Sequence, residues 1–226
     1  MTVVLKPGVS LLERFSFARK FLILAVLFIL PLTYALWAIW SEYQAGQRLI
    51  DQQIKGLHDI QALAQVQREV LEQRTLLARW KGTDDAAQGL LTSREAKLDE
   101  ALKQASEQLS GGAMSSQAKE LLQTLQADRS RLSSAELSNI ALPDALERYQ
   151  MNLQHLTALR EQIATDSGMI LDPHLDTYLM MEQLTFTLPR LLENLASFAS
   201  RGYGAVVSEH FTLQSRVGIR DLRRSI

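Results

Sequence analysis

Apolar positions follow two regimes along this chain. From Phe21 to Trp40 they are continuous: FLILAVLFILPLTYALWAIW is 20 residues without a charge. At about 1.5 Å of rise per residue, such a helix spans roughly 30 Å, the thickness of a bilayer's hydrocarbon core. Beyond it the pattern is periodic. Apolar residues recur at Ile50, Ile54, Leu57, Ala64, Leu71 and Ala78, in steps of threes, fours and sevens. That spacing predicts one helix from near Ser10, through the apolar run, to about Trp80. A helix this long without strong caps suggests a coiled coil or a bundle with a signalling rod.

Stop and start signals divide the remainder of the chain. Gly82 suits a C-cap, and Asp84 or Asp85 an N-cap, with Gln88 completing a box with Asp85, for a second helix running to about Leu109. Ser110-Gly111-Gly112 ends it. A third helix is predicted from Ser115 to Leu137, with Leu121, Leu122, Leu125 and Leu132 inward, and residues 138–142 as a loop. Pro143 and a second box, Asp144 with Glu147, open a fourth helix. Its seam reads Leu142, Leu146, Tyr149, Leu153, Leu156, Arg160, Ile163, Ser167 and Ile170, a heptad with two polar members. Asp172-Pro173 restarts the chain as N-cap and first helical residue. A fifth helix to about Ser200 is predicted to bury Leu175, Tyr178, Met181, Leu184, Leu188, Leu195 and Phe198, kinked at Pro189. Gly202-Tyr203-Gly204 is expected to break it, with a sixth helix from Ala205.

The expected fold class is all-α: one N-terminal transmembrane helix, then an antiparallel up-and-down helical bundle. The expected organisation is a basic tail at 1–20, a span at 21–40 and a helical body at 41–226. Arg14, Arg19 and Lys20 precede the span, while Trp37, Trp40 and Tyr43 mark its far end as an aromatic belt would. Basic residues cluster on the N-terminal side, which predicts a cytoplasmic N-terminus and a periplasmic body. The rival reading is a cleaved signal peptide. Its apolar core would be shorter, and Ala45-Gly46 offers only a weak cleavage site.

Charge and chemistry narrow the function. The chain has 24 Lys and Arg against 25 Asp and Glu among 226 residues, without the basic excess of a nucleic-acid binder. There is no cysteine, so disulfide and thiolate chemistry are excluded. No phosphate loop, nucleophile elbow, dinucleotide fingerprint or zinc-protease motif is present, and no cofactor or catalytic residue is implied. Asp172, His174 and Asp176 cluster, but cap and first-turn roles explain them better than a metal. The seam arginines carry more. Arg160 occupies an apolar heptad position, and Arg74 lies three residues after Leu71 and four before Ala78. An inward arginine needs an anion: a buried carboxylate, or a ligand's carboxylate or phosphate. For either arginine taken singly, the favoured reading is the bland one, that it snorkels to the bundle surface. Arg68, Arg79 and the Trp80 ring are weaker candidates for walls of the same site.

Residues 166–202 read DSGMILDPHLDTYLMMEQLTFTLPRLLENLASFASRG. This resembles a pattern in the periplasmic helical sensor regions of bacterial methyl-accepting chemotaxis proteins and related transmembrane signalling proteins. The matching positions are Leu171, Asp172, Pro173, Leu175, Asp176, Tyr178, Met180, Leu188, Pro189, Arg201 and Gly202. His174 stands where that pattern often has Asp, and Leu179 where it often has Tyr. Glu72-Gln73-Arg74-Thr75 echoes a Gln-His-Arg-Gly element of such receptors, keeping the arginine.

The resemblance implies the sensory portion of a signal receptor in the bacterial inner membrane, not an enzyme. It would be a homodimer that detects a small periplasmic solute or a solute-loaded binding protein. It also implies a second span and an output module beyond residue 226: a chemotaxis hairpin, a histidine kinase or a diguanylate cyclase. The alternative is a membrane-anchored helical adaptor. Candidate ligand-binding residues are Arg74, Arg160, Ser167 and Tyr178, with a small anion as the expected ligand.

Overall fold

A computed structural model describes residues 16–82, 84–112, 114–171 and 175–207. Among these the secondary structure is helical throughout, without a strand. Helix α1 is Phe17–Gly82, α2 Asp85–Ser110, α3 Ser116–Arg131, α4 Ser134–Ser138 and α5 Leu142–Asp166. A 3-10 turn, Met169–Leu171, comes next. Then come α6 (Leu175–Glu182), a π turn (Gln183–Thr187) and α7 (Leu188–Val207). The predicted starts at Ser10 and at Asp172-Pro173, and His174 beside them, lie outside the described residues.

The chain divides into two compact units, Met1–Ile50 and Asp51–Ile226. The described part of the first is helix with almost every side chain exposed, from Phe21 and Leu22 to Trp40 and Tyr43. Starting at Phe21, α1 is the one helix among the described residues long and apolar enough to cross a membrane. Pro31 lies inside it. The Thr33 hydroxyl donates to the carbonyls of Ile29 and Leu30, each at 2.9 Å, one turn back along the helix, while the acceptor that the proline leaves without an amide partner is the Leu27 carbonyl.

The second unit holds one apolar core. Leu63, Val66 and Leu77 from α1 meet Leu91 and Leu98 from α2 and Tyr149, Leu153 and Leu156 from α5. The buried face of α1 runs through Gln53, Ile60, Leu63, Gln67, Val70, Arg74 and Leu77. The predicted stripe was therefore rotated, for Ile50, Ile54 and Ala64 are exposed. Glutamines hold seam positions that a purely apolar pattern passes over.

Local chemistry overrides the sequence signals at several helix ends. The predicted third helix breaks after Arg131. Ser133 turns extended and its hydroxyl accepts from the Glu136 amide at 3.3 Å, while Glu95 of α2 takes the Ser134 amide at 2.6 Å. Neither predicted capping box opens its helix. The residue before α2 is Asp84, whose carboxylate is drawn away to the Arg79 guanidinium (2.5 and 3.0 Å). Helix α5 starts at Leu142 after Ala141, with Pro143 in its first turn and no side-chain cap. At its end Ser167 is the C-cap and Gly168 adopts φ 71°, so the chain leaves the heptad and Ile170 is exposed. Finally, α7 runs through Gly202, Tyr203 and Gly204 to Val207, where a break was expected.

The last helices invert the predicted core. Leu175, Leu184, Leu188, Leu195 and Phe198 are exposed, and the buried positions are Thr185, Pro189, Ser197 and Ser200. The π turn ends at Thr187, two residues before Pro189. Its wider ring, with the Leu188 amide bonded to the Gln183 carbonyl, accommodates the residue that has no N–H to give.

Gly56 has a reason to lack a side chain. A Cβ there would overlap the Ser167 side chain where α1 passes the end of α5. Overpacking costs about 1–3 kcal/mol, against roughly 1 kcal/mol of helix propensity gained by alanine. Gly56→Ala is expected to lower the thermal midpoint of the full chain, followed by circular dichroism, and Ser167→Gly in the same chain to restore part of it. An unchanged midpoint in G56A contradicts the close approach.

Candidate functional site

The buried face of α1 carries Gln67 and Arg74 seven residues apart, so both point the same way. Arg160 is the polar member of the α5 seam. Helix α7 supplies Glu193 and Ser197, which with Thr185 and Pro189 step inward every four residues. These elements enclose a polar layer in an otherwise apolar interior.

Both arginines are inside, at 1 % exposure each, and do not snorkel. Arg74 Nη1 donates to Ser197 Oγ at 2.8 Å and to Gln150 Oε1 at 3.3 Å. Arg160 Nη2 donates to Gln67 Oε1 at 2.5 Å. Gln67 then passes the polarity on, its Nε2 donating to the Pro189 carbonyl at 3.2 Å and to Glu193 Oε1 at 3.0 Å. The Thr157 hydroxyl adds a second contact to Glu193, at 3.3 Å. The Nε of each arginine is buried and has no hydrogen-bond partner. Among the described residues, no carboxylate lies within 4.0 Å of either guanidinium; the pairs that form are elsewhere, such as Arg94 with Glu69 and Glu72.

Burial dominates the electrostatics of the layer. It pulls Arg74 down to about 10, helped by the charge of Arg201 and opposed by Glu193. It also lowers Arg160, against Glu193 and Glu161. Glu193 is raised by burial, with Arg160, the Thr157 hydrogen bond, Arg74 and Arg190 opposing. Two buried cations thus share one half-buried carboxylate that touches neither. Desolvated charge of this kind is stabilised by a close anion.

The four predicted ligand residues fall in three places. Arg74 and Arg160 meet in the polar layer. Ser167 closes α5, its hydroxyl donating to the Ile163 carbonyl at 2.7 Å, beside a cavity of about 200 Å³ that Lys55, Asp59 and Asp166 also line. Tyr178 lines a separate cavity next to the π turn. The weaker candidates are committed elsewhere: Arg68 to Glu72, Arg79 to Asp84, and the Trp80 ring to Lys81 Nζ, 5.1 Å from its centroid. Gln67, Gln150, Glu193 and Ser197 were not foreseen, although the four-residue stepping of Thr185, Pro189, Glu193 and Ser197 is legible once the leucines are set aside.

Comparison of the chain with known protein families, characterised proteins and solved structures finds no match.

Asp59 offers a clean electrostatic test. Burial holds its carboxyl above the ordinary 3.8, against the Gln108 hydrogen bond and the charges of Lys55 and His58. The folded chain therefore binds this proton more tightly than the unfolded one. Asp59's favourable contribution is complete below 3.8 and is lost as pH rises through the folded value. Asp59→Asn keeps an acceptor for Gln108 and stays neutral. It is expected to raise the thermal midpoint at about pH 7 and to change little at about pH 3. A gain of equal size at both pH values contradicts the assignment.

Proposed function

We propose that this chain is the sensory, N-terminal part of a transmembrane signal receptor of the chemotaxis-receptor kind, and that its body detects a small anion. One observation carries the reading: two guanidinium groups are sealed inside a helical body with no carboxylate at ion-pair distance among the described residues. Such a layer is poised to gain stability from an anion of the right size.

In this reading residues 21–40 span the bacterial inner membrane, with the N-terminus in the cytoplasm and the body in the periplasm. The helices of the body form an antiparallel up-and-down bundle. A bound anion, or a solute-loaded binding protein acting on the same helices, favours one of two packings of α1 against α7. Signal then passes along α1 toward the membrane, and the output is a chemotaxis hairpin, a histidine kinase or a diguanylate cyclase. The exposed leucines of α7 support a homodimer joined through that face. They equally favour the second reading, a membrane-anchored adaptor that binds another protein there.

The test uses the full chain in lipid nanodiscs and a panel of inorganic oxyanions, monocarboxylates and dicarboxylates. One class is expected to raise the thermal midpoint, by the equivalent of about 2.7 kcal/mol at a hundredfold excess over Kd. Arg74→Met and Arg160→Met are expected to lose the response. Without anion, R74M keeps its midpoint, because it removes a buried charge that has only neutral partners. Mass photometry of the same samples is expected to show a dimer that Leu192→Glu with Leu195→Glu converts to monomer. If no anion shifts the midpoint, or the shift survives in both arginine variants, direct anion sensing is wrong. A monomeric wild type removes the dimer.

A further inference from the structure

The π turn borders a cavity of about 210 Å³ whose wall contains neither arginine of the polar layer nor any residue hydrogen-bonded to them. An apolar protein cavity of about 150 Å³ is large enough to hold benzene, so this one has room for a ring and a short chain. Met169, Met181, Phe186 and Tyr178 supply most of its wall. The wall holds one ionisable carboxylate, Glu182, and one buried hydroxyl, that of Thr185.

Thr185 is the unusual member. It is 1 % exposed, and its hydroxyl makes no hydrogen bond, although a threonine in a helix normally returns its hydroxyl to a carbonyl one turn back. It sits within the π turn, Gln183–Thr187, a rare backbone form that is frequent at functional sites. An apolar cavity with a few fixed polar groups and an unsatisfied buried hydroxyl has the make-up of a small-molecule site.

The sign of the ligand is set by the wall. Glu182 is acidic, and among the described residues its carboxylate is held by long contacts of 3.4 Å from Gln183 Nε2 and Thr187 Oγ1. The Tyr178 and Phe186 rings and the two methionine sulfurs are favourable neighbours for a cation and unfavourable ones for an anion. We infer that this cavity is a binding site for a small apolar amine, with its ammonium group on Glu182, a hydrogen bond to the Thr185 hydroxyl, and its hydrocarbon part among Met169, Met181 and Phe186. The site does not depend on the arginine layer being an anion sensor.

Calorimetric titration of the full chain in nanodiscs with 2-phenylethylamine, 2-phenylethanol and 3-phenylpropanoate tests this, since the three probes share the phenethyl part and differ only in the head group. The amine is expected to bind, the alcohol about tenfold more weakly, and the acid more weakly still. Glu182→Gln is expected to cost the amine about tenfold in affinity and Thr185→Val roughly three- to tenfold. Without ligand, T185V is expected to hold or raise the thermal midpoint, because it removes an unsatisfied buried group while keeping its shape. Arg74→Met is expected to leave amine affinity unchanged, which separates this site from the anion reading. No amine binding, equal affinity for amine and acid, or an unaltered amine affinity in E182Q overturns the proposal.

Discussion

A guanidinium removed from water must be solvated by something, and this constraint shapes the second unit of the molecule. Arg74 and Arg160 are solvated by neutral groups: a serine hydroxyl, two glutamine amide oxygens and, through Gln67, a carboxylate one bond further on. Neutral dipoles offset part of the desolvation of a cation, and a direct carboxylate would offset more. The layer is held together and left short of negative charge at the same time. That imbalance separates the layer from an ordinary buried ion pair.

The orientation of α7 comes from the same constraint. To bring Ser197 to Arg74 and Glu193 to Gln67, the helix turns its polar stripe inward. Its leucines must then face out, because one helix cannot present both faces to the same neighbours. Pro189 belongs to that inward stripe, and its carbonyl accepts from Gln67. The preceding π turn lets the chain pass the proline without abandoning the helix, and it leaves Thr185 beside a cavity. The polar layer, the outward leucines and the cavity are three results of one helix rotation.

Much of the fold is legible in the sequence because it depends on strong periodic patterns and on breakers. The 20-residue uncharged run, the helix ends at Gly82 and at Gly111, and the α5 seam through Tyr149, Leu153, Leu156 and Ile163 are such features. Spacing marks both arginines at inward positions, but the usual preference of arginine for the surface argued for snorkelling, and burial at 1 % exposure overturns that expectation. The misses share one cause. Gln53, Gln67 and Gln73 on α1, and Thr185, Glu193 and Ser197 on or beside α7, are polar residues on inward faces, and a rule that sends leucine in and polar groups out reverses them. Local signals were also overridden by tertiary partners. Asp84 pairs with Arg79 instead of its helix terminus, and Glu95 of α2 helps stop a helix that leucine spacing alone would have continued.

The central claim, that the buried guanidiniums await an anion, is tested most directly at their unpartnered Nε–H groups. In the full chain labelled with ¹⁵N-arginine, proton–nitrogen correlation spectra should show two protected Nε–H signals from Arg74 and Arg160, assigned by R74M and R160M. Titration with the binding anion is expected to move at least one of them downfield as it gains an acceptor, and to slow its exchange with water. Nε–H signals that stay fixed across the whole anion panel would contradict the account and leave the arginine layer as structural packing alone.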